Sequence, residues 1–190
     1  GSSLTFTSFH LLYHMIILKT KRLLLRRMTL DDNDFILDLL NSPKWIKYIG
    51  SRDIDTLEQA RDYLESRVIP NYEALGFGFY IIERLTDQIR IGNCGLTHRA
   101  GMEHADIGYS LLEQYEGQGY AYEAASAVLN YGFETHKLDH LEAIVTSENH
   151  RSQHLLKKLG MHYKKMIELP DDDEELMLFG IDAPIEENIG

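Results

Sequence analysis

Two glycines one residue apart, Gly117 and Gly119, carry the first chemical signal in this sequence. They follow an apolar, β-prone run at residues 107–112 and precede an alanine-rich segment that favours a helix. Glycine lets the backbone approach a ligand closely, and the first N–H groups of a helix have no partner within it. A strand–glycine–helix junction of this kind is suited to binding an anion such as phosphate.

The glycine spacing excludes two common phosphate-binding motifs. A dinucleotide-binding loop has three glycines in the pattern G-x-G-x-x-G, but the third position here is Tyr122. A P-loop needs Lys followed by Ser or Thr, and no Lys is present in this loop. Two glycines alone fit a tight turn without a ligand equally well, so other residues must decide.

A second group of polar residues follows about thirty residues later. Asn149 and Ser152 begin the run N-H-R-S-Q-H-L-L-K-K-L-G-M, which predicts a helix capped by Asn149 and ended at Gly160. Taken alone, Asn149 is explained by helix capping, and Ser152 by a hydroxyl that bonds to the backbone.

Together, the two motifs resemble those of the GNAT superfamily of N-acetyltransferases. E-G-Q-G-Y-A at residues 116–121 is similar to its pyrophosphate loop, R/Q-x-x-G-x-G/A, and residues 149–161 are similar to its pattern N-x-x-S-x-x-L-x-x-x-G-F/M. The spelling G-[KQ]-G-Y-A-x-E-A is typical of the branch that acetylates N-terminal alanine or serine of ribosomal proteins. The resemblance covers about residues 15–181.

The resemblance implies acetyl-CoA as co-substrate, with its pyrophosphate on the loop N–H groups and its pantetheine arm beside Asn149. A backbone N–H of the strand that enters the loop, that of Leu111 or Leu112, would stabilise the oxyanion. One departure is Glu116, which stands where the family usually has Arg or Gln. Binding of phosphate by the backbone N–H groups of the loop does not need the side chain at this position, whereas the effect of Glu116 on cofactor affinity stays open. The implied cofactor-binding residues are Leu111, Leu112, Gly117, Gln118, Gly119, Tyr120, Ala121 and Asn149.

Acetyl transfer to an amine also needs a base, and an acid for the leaving thiolate. Asp106, Glu103 and His98 are the candidate bases, and Asp106 occupies the acidic position of the family spelling A-E-I-G-Y. Burial in a partly dry cleft would raise the pKa of Asp106, although a solvated Asp at a strand start fits the sequence equally well. The family often uses a Tyr after the Asn as the acid, and this chain offers Ser152 there instead.

Composition indicates one ordinary globular domain and limits its partners. The chain has 190 residues, of which 44% are hydrophobic, and a formal charge of −11, which argues against nucleic-acid binding and favours amine partners. Its single cysteine, Cys94, excludes an intramolecular disulfide and fits a reducing cytoplasm. The histidines show no metal-ligand spacing, so we expect no metal. No membrane span is predicted, and monomer and homodimer both stay open.

The elements predict a GNAT-type α/β fold: a mixed, mostly antiparallel sheet of about seven strands with about four helices. The sheet is expected to open between the fourth strand, ending at Leu112, and the fifth, starting near His140. We expect residues 1–14 to be a leader or tag remnant, residues 15–183 one domain and residues 184–190 a tail. Predicted strands cover residues 21–28, 77–84, 90–97, 105–112, 140–146, 161–167 and 174–181, and predicted helices cover residues 30–40, 57–72, 120–135 and 149–158.

The acceptor is open at this stage. A protein or peptide N-terminal α-amine, a small amine or polyamine, and a non-catalytic acyl-CoA sensor are all compatible with the sequence. Trp45 and Tyr48 are candidates for acceptor contact, although core packing explains each of them as well. The five acids at residues 171–175 are expected in the last hairpin turn, either simply solvated or attracting a cationic acceptor.

Overall fold

The computed structural model describes residues 15–170 and 172–185. These residues contain an eight-stranded sheet with the order β1-β2-β3-β4-β5-β6-β8-β7. Its strands are β1 (Ile16–Lys19), β2 (Leu23–Arg27), β3 (Phe79–Arg84), β4 (Arg90–Thr97), β5 (Asp106–Leu111), β6 (His140–Val145), β7 (His162–Ile167) and β8 (Leu176–Asp182). All neighbouring strands are antiparallel except β5 and β6, which are parallel.

The helices lie on both faces of this sheet. Within the described residues they are α1 (Asn33–Leu40), α2 (Pro43–Tyr48), α3 (Leu57–Tyr63), α4 (Ile69–Leu75), α5 (Tyr120–Asn130) and α6 (His150–Lys158). A π-helical turn, Leu64–Val68, joins α3 to α4 just before Pro70, which has no N–H to donate. A second π-helical turn, Tyr131–Thr135, extends α5.

Alternation along β3 shows how the two faces are built. Ile82 packs with the cluster that contains α5, whereas Ile81 packs with α1 and α3 on the opposite face, and neither is exposed. On β2, Leu23 and Leu25 share the α5 face, and both are fully buried. Burial of each such side chain contributes about 1.5–3 kcal/mol, so two apolar cores hold the helices against the two faces of the sheet.

The sheet opens between β5 and β6. The register between these strands contains one pair, Asp106 with Glu142, and the Glu142 N–H donates to the carbonyl oxygen of Ala105 at 3.0 Å. Beyond this pair the strands separate, leaving a gap with β5 on one side and β6 followed by α6 on the other. The predicted opening of the sheet is therefore confirmed, with Asp106 at the closed end of the gap.

The predicted fold class is confirmed, whereas the predicted strand and helix counts were slightly low. The added strand is β1, which forms a hairpin with β2. Two helices are added: α2, which begins directly at Pro43, and α4, because a π-helical turn divides the helix predicted at residues 57–72 into α3 and α4. Residues 1–14 and 186–190 lie outside the described residues, so the predicted leader and most of the predicted tail are not tested. No helix among the residues that the structure describes is long and apolar enough to cross a membrane.

Candidate active site

The glycine loop connects β5 to α5 at the open end of the gap. Gly117 and Gly119 have φ angles of 79° and 82°, in the left-handed region that glycine adopts at little cost, and Gly119 is the N-cap of α5. A Cβ added at Gly119 would lie 3.3 Å from the guanidinium of Arg22. The loop therefore needs glycine here, and it presents the unpaired N–H groups that begin α5 to the open end of the gap.

Three hydrogen bonds from the β1–β2 turn hold this loop. Glu123, in the first turn of α5, accepts from the Thr20 hydroxyl at 2.6 Å, from the Arg22 N–H at 3.0 Å and from Arg22 Nε at 2.7 Å. Arg22 Nη1 also donates to the carbonyl oxygen of Gln118 at 2.9 Å, and the guanidinium lies 4.4 Å from the centre of the Tyr120 ring. The sequence analysis did not identify Glu123 as the residue that holds the loop, although Glu123 is the Glu in the pattern G-Y-A-x-E-A.

The structure distinguishes the two candidate oxyanion donors. The Leu112 N–H donates to the carbonyl oxygen of Ile91 at 2.9 Å, so the bond to β4 already uses it. Because N–H directions alternate along a strand, the N–H of Leu111 points away from β4, toward the gap. Leu111 is thus placed to donate to a ligand in the gap, and Leu112 is not.

Asn149 and Ser152 lie across the gap from β5. The Asn149 side-chain oxygen accepts from the Ser152 N–H at 3.2 Å, which is the capping bond expected for that residue. The Ser152 hydroxyl lies 2.9 Å from the phenol oxygen of Tyr109, which comes from β5. Burial raises the pKa of Tyr109 to about 12, so the phenol stays protonated and can donate to Ser152. Tyr109 was not among the predicted site residues.

Asp106 is fully buried at the closed end of the gap. Its Oδ2 accepts from Arg99 Nε at 3.0 Å, whereas its Oδ1 has no hydrogen-bond partner among the described residues. Desolvation raises the pKa of Asp106 to about 6, against the opposing effect of the Arg99 guanidinium. A carboxylate with one unpaired oxygen and a pKa near neutrality is suited to accept a proton.

The other two candidate bases are less suited to this role. His98 Nε2 lies 3.0 Å from the carbonyl oxygen of Met102, and the Glu103 side chain is 88% exposed. Geometry therefore favours Asp106, which alternation places with Gly108 on one face of β5.

Glu142, which pairs with Asp106 at the closed end of the gap, belongs to a cluster of polar side chains centred on β6. The structure brings ligand atoms of His104, His140 and Glu142 within 4.8 Å of one another, which their sequence spacing did not indicate. The Lys164 ammonium lies 3.0 Å from Glu142 Oε2 and 3.3 Å from His140 Nε2, so the cluster already holds a cation. The absence of a metal site stays a prediction.

Trp45 and Tyr48 both lie on α2. Trp45 is half-buried and packs against the cluster formed by α1 and α3, and its Nε1 is buried without a hydrogen-bond partner among the described residues. Tyr48 is half-buried with the Lys47 ammonium 5.1 Å from its ring centre. Trp45 thus has the packing role that the sequence also allowed, and acceptor contact by either residue stays a prediction.

These features combine a glycine loop suited to binding phosphate, a gap in the sheet and a buried carboxylate. The loop lies at the open end of the gap, the Tyr109–Ser152 hydroxyl pair lies along it, and Asp106 lies at its closed end. An elongated cofactor with a pyrophosphate fits this arrangement, because the loop presents N–H groups and the free edge of β5 presents backbone donors. Proton transfer can then occur at the buried end.

Comparison with known proteins gives a consistent result. Residues 22–162 match the model of the acetyltransferase (GNAT) domain. The uncharacterized N-acetyltransferase p20 of Bacillus licheniformis is 34% identical over 155 residues, which cover 80% of this chain and 86% of that protein. The acetyltransferase from Agrobacterium tumefaciens superposes with a TM-score of 0.73 at 26% identity, covering 86% of this chain and 92% of that one.

Two more distant structures share the fold, each at 16% identity. One is a ribosomal-protein-S5-alanine acetyltransferase from Vibrio fischeri, with a TM-score of 0.73 and coverage of 87% of this chain and 96% of that chain. The other is a spermidine N-acetyltransferase chimera that contains Vibrio cholerae sequence, with a TM-score of 0.68 and coverage of 85% and 95%. Proteins named for a protein acceptor and for a polyamine acceptor thus share this fold.

Proposed function

This chain belongs to the GNAT family of N-acetyltransferases, and we propose that it transfers the acetyl group of acetyl-CoA to the N-terminal α-amine of a protein or peptide. The observation that carries the proposal is Asp106, a fully buried carboxylate at the closed end of the gap, with one oxygen that has no hydrogen-bond partner in residues 15–170 and 172–185. When bound, acetyl-CoA supplies an activated acetyl thioester, and the residues of the chain supply the rest.

The pKa of Asp106 favours an α-amine over an alkyl amine. An α-ammonium group has a pKa of about 7.7–8.0 and a lysine ammonium about 10.4. With Asp106 at about 6, proton transfer is uphill by about 3 kcal/mol from the former and by about 6 kcal/mol from the latter. The same comparison disfavours spermidine, whose primary amines are alkyl amines.

Each remaining step has a residue placed for it. Asp106 accepts the ammonium proton directly or through a water molecule, and the amine nitrogen then attacks the thioester carbon. The Leu111 N–H stabilises the oxyanion that forms. As the carbon–sulfur bond breaks, Ser152, in contact with the Tyr109 hydroxyl, donates a proton to the leaving thiolate. The proton that the new amide nitrogen loses then restores the Ser152 hydroxyl. We place this reaction in the cytoplasm, whose reducing conditions suit a chain with a single cysteine, Cys94.

Thiol release from acetyl-CoA tests the proposal. The panel contains peptides with N-terminal alanine or serine, the same peptides with a blocked N-terminus and an internal lysine, and spermidine. We expect release with the free α-amine and little with the blocked peptides. Turnover of spermidine without turnover of any peptide would contradict the α-amine assignment. No release with any acceptor would argue for a binding module, and Asp106→Asn serves as the inactive control.

A further inference from the structure

Glu116, the residue that departs from the family pattern, connects three separate segments at the open end of the gap. Its Oε2 accepts from Arg151 Nη1 at 3.0 Å and from the Lys44 ammonium. Glu116 starts the glycine loop, Lys44 lies in α2 and Arg151 lies in the first turn of α6. The carboxylate is 16% exposed, whereas the side chains of Lys44 and Arg151 are 42% and 62% exposed.

The two cations lie where phosphate is expected. The second guanidinium nitrogen of Arg151 is 3.9 Å from a Cβ built on Gly117, so this group lies directly over the glycine loop. The N-terminus of α5 adds a partial positive charge at the same place. Without an anion these positive groups would repel one another, and the Glu116 carboxylate is the anion that the chain itself supplies there.

We propose that Arg151 and Lys44 bind the pyrophosphate of acetyl-CoA, and that Glu116 competes with it for these two cations and so limits cofactor affinity. A carboxylate and a phosphate have charge of the same sign, so both cannot be neutralised fully by the same guanidinium and ammonium. The exposed cations can turn from Glu116 to the phosphates, whereas the carboxylate stays beside the loop and repels them. Weaker product binding then favours release of CoA after each turnover.

The inference rests on the proposed acetyl-CoA site, and calorimetry with CoA tests both separately. Wild-type protein that fails to bind CoA would overturn the cofactor site and this inference together. If CoA binds, Glu116→Gln should tighten binding about threefold to tenfold at low salt, because removing one charge several ångströms from the phosphates has an effect of that order. Arg151→Gln should weaken binding about tenfold, and both effects should shrink as salt rises.

Two controls make the result specific. Glu113→Gln removes the same charge three residues away, from an exposed side chain that forms no ion pair within residues 15–170 and 172–185, and we expect less than about a twofold change. 3′-Dephospho-CoA keeps the pyrophosphate and should show the same change as CoA. Unchanged or weaker binding by Glu116→Gln, with an unchanged unfolding temperature, would overturn the inference. An effect that disappeared with 3′-dephospho-CoA would overturn the assignment to the pyrophosphate.

Discussion

At the scale of single residues, the proposed chemistry depends on how burial changes ordinary side chains. Burial at the closed end of the gap removes Asp106 from water and raises its pKa. Tyr109 is half-buried against the core, and its hydroxyl contacts Ser152. Sequence reasoning named Asp106 and Ser152 from the family pattern. It could not find the Tyr109–Ser152 contact, because the two residues are 43 positions apart and meet only when α6 packs beside β5.

Substitution of Asp106 by Asn should separate activity from stability. We expect kcat to fall about 10²–10⁴-fold, because the amine loses its base. Wild-type kcat/KM should fall as pH drops from 7 to 5, because Asp106 becomes protonated near pH 6, whereas an α-amine acceptor with a pKa of about 7.7–8.0 is already largely protonated over this range. Steady-state rates between pH 5 and 8 check this, and an Asn variant with wild-type turnover would refute the role of Asp106.

The same substitution should make the protein more stable at neutral pH. Desolvation raises the folded-state pKa of Asp106 from 3.8 to about 6, so the contribution of this residue to stability is fully present below about pH 4 and is lost as pH rises through about 6. This loss amounts to up to about 3 kcal/mol in the wild type and is absent in Asp106→Asn. Urea unfolding at pH 4 and pH 7 measures it, and a stability difference that is equal at both values would contradict the raised pKa.

Ser152→Ala should slow acetyl transfer while cofactor binding stays nearly unchanged. The hydroxyl is proposed to protonate the thiolate, so its loss removes a step of the reaction rather than a phosphate contact, and about 10–100-fold in kcat is expected. Tyr109→Phe keeps the packing of β5 and removes only the hydroxyl, so a smaller decrease in kcat is expected. Rapid-quench measurements of the acetyl-transfer rate, together with the affinity of each variant for CoA, check both predictions. A Ser152→Ala variant that lost affinity and not rate would identify a binding residue instead.

At the scale of elements, the sequence predicted those with strong local signals. Alternating apolar residues and hairpin turns indicated β3, β4 and β5, and the alanine-rich run indicated α5. It did not predict α2, because Pro43 after Ser42 also fits a stop after the helix predicted at residues 30–40. Proline at the first helical position, after an extended Ser42 with ψ of 146°, begins a helix equally well. Local sequence does not decide between these two meanings of proline.

Glu123 provides a test of how elements position the glycine loop. Although desolvation opposes it, hydrogen bonds from Thr20 and Arg22 hold the pKa of Glu123 below its usual 4.5. Glu123→Gln weakens these charge-assisted bonds and should lower the free energy of unfolding by about 1–2 kcal/mol at pH 7. Because the stabilisation is present above the unfolded-state pKa, the difference should shrink as pH falls below about 4.5.

Denaturant unfolding across this pH range measures the effect of Glu123→Gln. The variant should also bind CoA more weakly, because the start of α5 is no longer held to the β1–β2 turn. Thr20→Val, which removes only one of the three bonds, should show the same trends with about half the size. Full stability and full affinity in Glu123→Gln would show that the turn does not position the loop.

At the scale of the whole molecule, the order of elements was predictable, whereas the contacts that close the site were not. The two spaced motifs indicated the family, and the family indicated the sheet topology. Neither step requires knowledge of which side chains contact one another. Lys44 with Glu116 and Arg22 with Glu123 join residues 72 and 101 positions apart. Such pairs depend on the final packing of several elements, and single-sequence patterns do not contain that information.

Net charge is the property of the whole molecule that bears on the acceptor. The chain carries a formal charge of −11, and the connection from β7 to β8 adds a local run of acids. Asp171 lies outside the described residues, whereas Asp172 and Asp173 are exposed as predicted. Pro170, next to this run, lies about 3.0 Å from a Cβ built on Gly101, so the connection packs on the β4–β5 turn that leads to Asp106.

This placement predicts electrostatic steering of cationic acceptors toward the buried end of the gap. The value of kcat/KM for a peptide with basic residues should fall as salt rises from about 0.01 to 0.5 M, because screening shortens the range of attraction from about 30 Å to a few ångströms. It should fall again when Asp172 and Asp173 are changed to Asn, whereas an acidic peptide with the same N-terminus should respond in the opposite direction. Steady-state kinetics with both peptides decides the matter. If the basic and the acidic peptide respond identically to salt and to the substitutions, the acidic run is only solvated and the acceptor is selected by contacts within the gap.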